Sequence, residues 1–194
     1  MSRLSRTESH AQTRAQLLIT ARRLFFEDGY HPTSLEKVAE AAGYSKGAVY
    51  SNFRNKDELC VAVLDDVRAE RLGEAIAALG AGDGPARTAR FREWAETIVG
   101  DPGWTTLEAE FAVHARRDPT QRAELAARLD TLLNTIAAAA SELGGPESPL
   151  PARETATALL ALGVGLGVFR AIDPSIPADS LIGLVALLGD RKTP

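Results

Sequence analysis

Leu17, Ala21, Leu24 and Phe25 recur at the spacing that lays apolar side chains along one face of a helix. The pattern predicts a helix from about residue 9 to 28, closed by Gly29 and followed by a Tyr30-His31-Pro32 link. Leu35, Val38, Ala39 and Ala42 mark a short helix that Thr33 caps, with Glu36 reaching back to the cap amide. Gly43 ends it, since glycine takes a positive φ at little steric cost. Ser45 caps a second short helix running through about Phe53, with Val49 and Phe53 pointing inward. Asn55 caps a long helix over about 56–79, with Glu58 completing its capping box and Leu59, Cys60, Val63, Leu64 and Val67 on the inner stripe. After a glycine cluster at 80–85, further helical segments are predicted over 86–99, 104–117, from the Asp118 cap to about 143, over 151–172 and over 177–189. Gly and Pro fill the link at 144–149, and 191–194 reads as a frayed tail. Alanine and leucine dominate, while β-branched and aromatic residues are few, so the fold class is all-α.

Two capped helices joined by a glycine-containing turn form a helix-turn-helix, placed at about 34–53. Its outward face suits DNA. Lys46 supplies charge, Ser45, Tyr50, Ser51 and Asn52 supply hydrogen bonds, and Gly47 and Ala48 permit close approach. An αα-hairpin inside any helical bundle carries the same bare pattern.

Charge sharpens the choice. The net charge of −4 is unevenly spread: residues 1–56 hold nine Lys and Arg against five acids, and 57–194 hold thirteen against twenty-one. A basic head on an acidic body is expected where only the head meets phosphates. Arg3 and Arg6 form a basic arm that reaches DNA or remains a solvated terminus. The single cysteine, Cys60, excludes an internal disulfide and fits a reducing cytoplasm; its apolar position reads as core. The polar, basic first residues do not read as a signal peptide. The longest apolar stretch, 158–169, reads as a buried helix too short for a bilayer.

Thr33-Ser34-Leu35, Val38-Ala39, Ala42-Gly43, Lys46-Gly47, Tyr50-Ser51-Asn52-Phe53 and Asn55-Lys56-Asp57-Glu58-Leu59 together closely resemble the DNA-binding domain of the tetracycline-repressor-like (TetR) family. The upstream run from Ala21 to Tyr30 resembles the end of that family's first helix, and the likeness covers about 13–64. Looser likeness extends to 107–119, and to 162–167 with Asp173-Pro174. The resemblance implies an N-terminal DNA-binding domain over 1–55 and a helical ligand-binding and dimerisation domain over 56–194, joined by the long helix from Lys56. It implies a homodimeric, cytoplasmic, one-component repressor of a palindromic operator, released by a small-molecule effector, with no cofactor, metal or membrane. Position by position it assigns Lys46, Gly47, Ala48, Tyr50, Ser51 and Asn52 to the major-groove face and phosphate contacts to Ser34, Tyr50 and Lys56, with Ser45 counted among the DNA-binding residues.

The resemblance also directs attention to the body. Phe91, Trp94, Trp104, Leu107, Phe111, His114 and Phe169 are candidate effector contacts, with Leu129 and Leu133 beside them; this concentration of aromatics points to an apolar or aromatic effector. Each also reads as ordinary core. Leu159, Leu162, Gly163, Leu166, Gly167, Leu181, Leu184, Val185 and Leu188 are the candidate dimer interface, the glycines leaving a smooth groove. Catalysis finds no support, because His10, His31, His114 and Cys60 share no metal spacing and no nucleophile elbow or phosphate loop is present. Two other readings stay open: a constitutive DNA-binding regulator, and a helical carrier or enzyme keeping a vestigial headpiece.

Overall fold

The described residues of this computed structural model, 6–80, 84–144 and 150–189, form helices joined by turns, with no strand among them. In order they are α1 (Arg6–Asp28), α2 (Leu35–Ala42), α3 (Lys46–Tyr50), α4 (Lys56–Gly80), α5 (Gly84–Ile98), α6 (Pro102–Ala115), α7 (Pro119–Gly144), α8 (Ala152–Ile172) and α9 (Asp179–Gly189). The all-α expectation holds. α1 starts about a turn earlier than its apolar pattern suggested. Arg3, residues 81–83 of the glycine cluster, 145–149 of the linker and the tail at 190–194 lie outside the described residues, as does the side chain of Arg6.

The chain divides into two compact units: one runs through Ala69 and takes in Thr106–Ala112, and the other holds Glu70–Thr105 and the chain from Val113 on. In the first unit the inward residues of α1 to α4 form a dry core; Leu17, Phe25, Val38, Val49, Phe53, Leu59 and Val63 are at most 1% exposed. Full burial of each large apolar side chain contributes about 2 kcal/mol. Gly29, at φ 85°, turns the chain out of α1, and the Tyr30 amide behind it donates to Glu110 Oε2 at 2.7 Å. Tyr30 itself is buried, with Phe111 edge-on at 5.6 Å and its hydroxyl donating to Asp57. Burial, then that hydrogen bond, push its pKa well above the usual phenol range.

In the second unit Phe91 and Ala95 of α5 pack with Leu166 of α8 and with Ala178, Leu181, Ile182 and Val185 around α9. Arg170 threads this core: it donates to the carbonyls of Val99, Ile176 and Glu96 at 2.7, 2.6 and 3.0 Å and pairs with Glu96 at 2.9 Å. Gly100 has no substitute beside it, since its φ is 94° and a Cβ there would collide with the Cβ of Arg170.

One expectation about α8 is corrected. The apolar stretch is embedded in a helix of 21 residues, long and apolar enough to cross a bilayer. Nor is the stretch buried as expected: within 158–169 only Leu166 and Gly167 are buried, while Val164, Val168 and Phe169 are exposed.

Candidate nucleic-acid interface

α2 and α3 are positioned by their caps. Ser34 is the residue that caps α2: its hydroxyl accepts from the Lys37 amide at 3.1 Å. Thr33 was expected there. It is instead buried, and its hydroxyl donates to the Gly29 carbonyl at 2.8 Å, tying the α1–α2 turn. Gly43, at φ 73°, ends α2; its amide donates to Glu40 and that of Tyr44 to Ala39, the double bond pattern of a Schellman motif. Ser45 caps α3 by accepting from the Ala48 amide at 3.2 Å.

α3 stops at Tyr50, three residues short of its expected end. The side chains of Ser51 and Asn52 both donate to the Ala48 carbonyl, at 2.9 and 2.8 Å, while the Asn52 amide turns to Val49. Polar side chains that compete for helix carbonyls end helices in this way. Val49 and Phe53 both point inward as expected.

The early stop rearranges the expected face. Ser45, Lys46, Gly47, Tyr50 and Ser51 are exposed and Ala48 is half-buried. Asn52, expected on the outer face, is buried. Its backbone carbonyl accepts from Arg14 Nη1 at 2.9 Å, and its Oδ1 is sealed with no partner among the described residues. A buried amide bonded back to its own turn does not reach the groove face.

Tyr50 is half exposed, and its hydroxyl donates to Glu36 Oε1 at 2.8 Å. That bond, ahead of the helix-start backbone and the Lys46 charge, holds the Glu36 carboxyl below its ordinary range and raises the Tyr50 phenol. Lys56 opens α4, but its ammonium turns back: Nζ donates to the carbonyls of Tyr30 and His31 at 3.0 and 3.2 Å and stands 4.1 Å over the Tyr30 ring. Asn55 caps α4 by accepting from the Glu58 amide at 2.8 Å. Glu58 does not close a box on Asn55. It reaches one residue further, accepting from Arg54 N at 3.0 Å and Nε at 2.9 Å.

Two participants escaped the sequence reading. Arg14 holds the end of α3 through Asn52 and lies 4.2 Å over the Phe53 ring. Its place three residues before Leu17, beside the buried face of α1, was the available signal. Glu36 was cast as a capping partner, whereas it is an acid on the exposed side with Tyr50.

The candidate effector residues do not gather in one place. Leu107 and Phe111 are buried in the first unit, because they share one face of the turns of α6 that belong to it. Phe91 and Trp94 stack in the second-unit core, with centroids 5.2 Å apart. Trp104 lies under the Arg71 guanidinium at 4.9 Å, His114 is partly buried, and Phe169 is 59% exposed.

The candidate interface residues divide as well. Leu166, Gly167, Leu181, Val185 and Leu188 are buried in their own chain, Leu159 and Leu162 pack on the same core, and Leu184 and Gly163 are partly exposed. Gly167 makes its close approach to Thr105 and Gly100 of the same chain. The open face of α8 carries Val164, Val168, Phe169 and Ile172 instead, with Leu187 exposed on α9.

Comparison with known proteins agrees with the head's geometry. The family model for bacterial regulatory proteins of the tetR family matches residues 17–63. The HTH-type transcriptional regulator TtgR of Pseudomonas putida is 46% identical over 63 residues, 32% of this chain and 30% of that protein. The HTH-type transcriptional repressor AcnR of Corynebacterium glutamicum is 29% identical over 115 residues, 58% of this chain and 55% of that protein. The chain thus spans about a third to about half of the length of these curated relatives. A crystal structure of a putative transcriptional regulator from Rhodococcus sp. RHA1 superposes with a TM-score of 0.71 at 20% identity, covering 94% of this chain and 97% of that one, which shows a shared fold.

Proposed function

We propose that the chain is a homodimeric, cytoplasmic, one-component repressor of the TetR family of bacterial regulatory proteins, released from a palindromic operator by a small-molecule effector. The observation that carries the reading is the capped α2–turn–α3 pair, with Lys46, Gly47, Tyr50 and Ser51 exposed on the short second helix. An exposed cation, small residues and hydroxyls on one helix are what a major groove accepts. In this reading residues 1–55 bind DNA, and 56–194 bind the effector and dimerise. Ser34, Ser45, Ala48 and Lys56 support or touch the backbone, and Asn52 acts from within by fixing the end of α3. Operator and effector oppose each other's binding by equal free energies, as linkage requires.

A dimer supplies two headpieces for a two-fold operator, because one short helix reads too few base pairs alone. The open stripe of Val164, Val168 and Ile172 on α8, with Phe169 and Leu187, is the proposed contact.

The test is fluorescence anisotropy with DNA flanking the protein's own gene. Binding is expected to weaken steeply with salt. Lys46→Ala and Tyr50→Ala each weaken it about tenfold with circular dichroism unchanged. Unaltered affinity in both variants overturns the assignment.

A further inference from the structure

α3 is five residues long, and a helix so short does not hold its own shape. Its start is tied by the Ser45 cap and by Val49, which is fully buried. The end that presents Tyr50 and Ser51 depends on Asn52. The buried Asn52 side chain donates to the Ala48 carbonyl at 2.8 Å, and the amides of Asn52 and Phe53 both donate to the Val49 carbonyl at 2.9 Å. These bonds close the last turn on itself without attaching it to the other helices.

Two contacts attach it. One is the burial of Phe53, which is 1% exposed. The other is Arg14 of α1, a partly buried residue whose Nη1 donates to the Asn52 backbone carbonyl at 2.9 Å. The same guanidinium stands 4.2 Å over the Phe53 ring. One planar group thus makes a directed hydrogen bond and a stacked contact with two successive residues, which suits a guanidinium better than an ammonium. A cation is also favoured where a helix ends. Arg14 therefore turns inward onto the end of α3.

We propose that Arg14 is a positioning residue for operator recognition: by holding Asn52 and Phe53 it fixes the end of α3, and so sets how well the head tells its operator from other DNA. The proposal rests on the reading of the head as the DNA-binding unit. It gives a cation of α1 a part in sequence discrimination that needs no contact with a base or a phosphate. Attraction to phosphates is independent of sequence, whereas base contacts need the helix in place. Loss of the hold on α3 therefore falls on specific binding and spares non-specific binding.

The full chain is compared as wild type, Arg14→Met and Arg14→Lys. Anisotropy is read between about 50 and 200 mM salt, on the duplex flanking the protein's own gene and on a scrambled duplex of the same length. Hydrogen exchange at the Asn52 and Phe53 amides is read by NMR without DNA. Arg14→Met still covers Phe53 but donates nothing. It is expected to bind the first duplex about tenfold more weakly and the scrambled one within about twofold of the wild type, with the salt slope unchanged. Its Asn52 and Phe53 amides are expected to exchange faster, while those of α4 keep their protection. Arg14→Lys restores a donor and the charge without the plane, and is expected to lie between the other two. Equal losses on both duplexes, with a salt slope smaller by about one, would make Arg14 a phosphate contact and overturn the proposal. So would unchanged amide exchange, or a lower melting temperature with the preference between duplexes intact. Should Arg14→Met melt too low to bind, the same readings on Arg14→Lys decide. A wild type with no salt-dependent binding to either duplex refutes the regulator reading, and Arg14's part in recognition with it, while amide exchange still reports the hold on α3.

Discussion

Tyr50 and Glu36 compete for the role that the exposed face of α3 is expected to fill. The Tyr50 hydroxyl has one proton and gives it to Glu36 at 2.8 Å. The carboxyl stays ionised at neutral pH, because that bond holds its pKa below the ordinary range. A phosphate approaching Tyr50 therefore meets a donor whose proton is already committed, and a like charge beside it. Glu36→Gln removes the charge and keeps a carbonyl acceptor. It is expected to tighten DNA binding about threefold at low salt, with the gain fading as salt rises; an unchanged affinity at both salts would show that Glu36 lies away from the phosphates. Ser34 and Thr33 separate a cap from a tie. Ser34→Ala leaves an orphan amide at Lys37 and is expected to lower stability by about 1 kcal/mol in urea unfolding. The capping reading from sequence chose Thr33 because both hydroxyls precede the same apolar run. The choice is made by the Gly29 carbonyl, which only folding brings to Thr33.

At the scale of elements, nearly all helices were legible, since Gly29, Gly43 and Pro119 are local signals that act through φ and missing amides, although α6 begins at Pro102, two residues before its expected start. The end of α3 was not. The apolar pair Val49 and Phe53 continues the helical spacing past Tyr50, and only the side chains of Ser51 and Asn52 on the Ala48 carbonyl stop it. The start of α4 allows a pH test. Arg54 lowers the Glu58 carboxyl by donating from its side chain and its backbone amide. A depressed folded pKa means that the contribution is complete above the unfolded carboxylate value of about 4.3 and is lost as pH falls through the folded one. The pair is partly exposed, so its worth is below about 1 kcal/mol. Wild type should lose stability between about pH 5 and 3 faster than Glu58→Gln does. Parallel urea midpoints for the two proteins would remove Glu58 from the account.

Across the whole molecule the head was readable from sequence and the body much less so, and the reason lies in what each pattern specifies. A cap, a glycine and a periodic face are local. Whether an apolar residue on α8 faces its own core or a second chain is decided by the helices packed beside it. Leu166 and Val164 are equally apolar and two residues apart, yet one is 6% exposed and the other 44%. Leu166 packs with Phe91, Leu181 and Ile182, so Leu166→Ala should cost about 2–4 kcal/mol of stability whatever the oligomeric state. Val168 stands on the open stripe with Val164 and Ile172 and has no such role in the core. If that stripe is the two-fold contact, each substituted side chain meets its symmetry copy or a near neighbour, so a single change places two carboxylates in one apolar seam. Val168→Glu should therefore leave the melting of a dilute monomer unaltered, halve the mass measured by light scattering at micromolar concentration, and weaken operator binding, because two tethered headpieces become two independent ones. A Val168→Glu protein that keeps the mass of a dimer and full operator affinity would move the interface off α8.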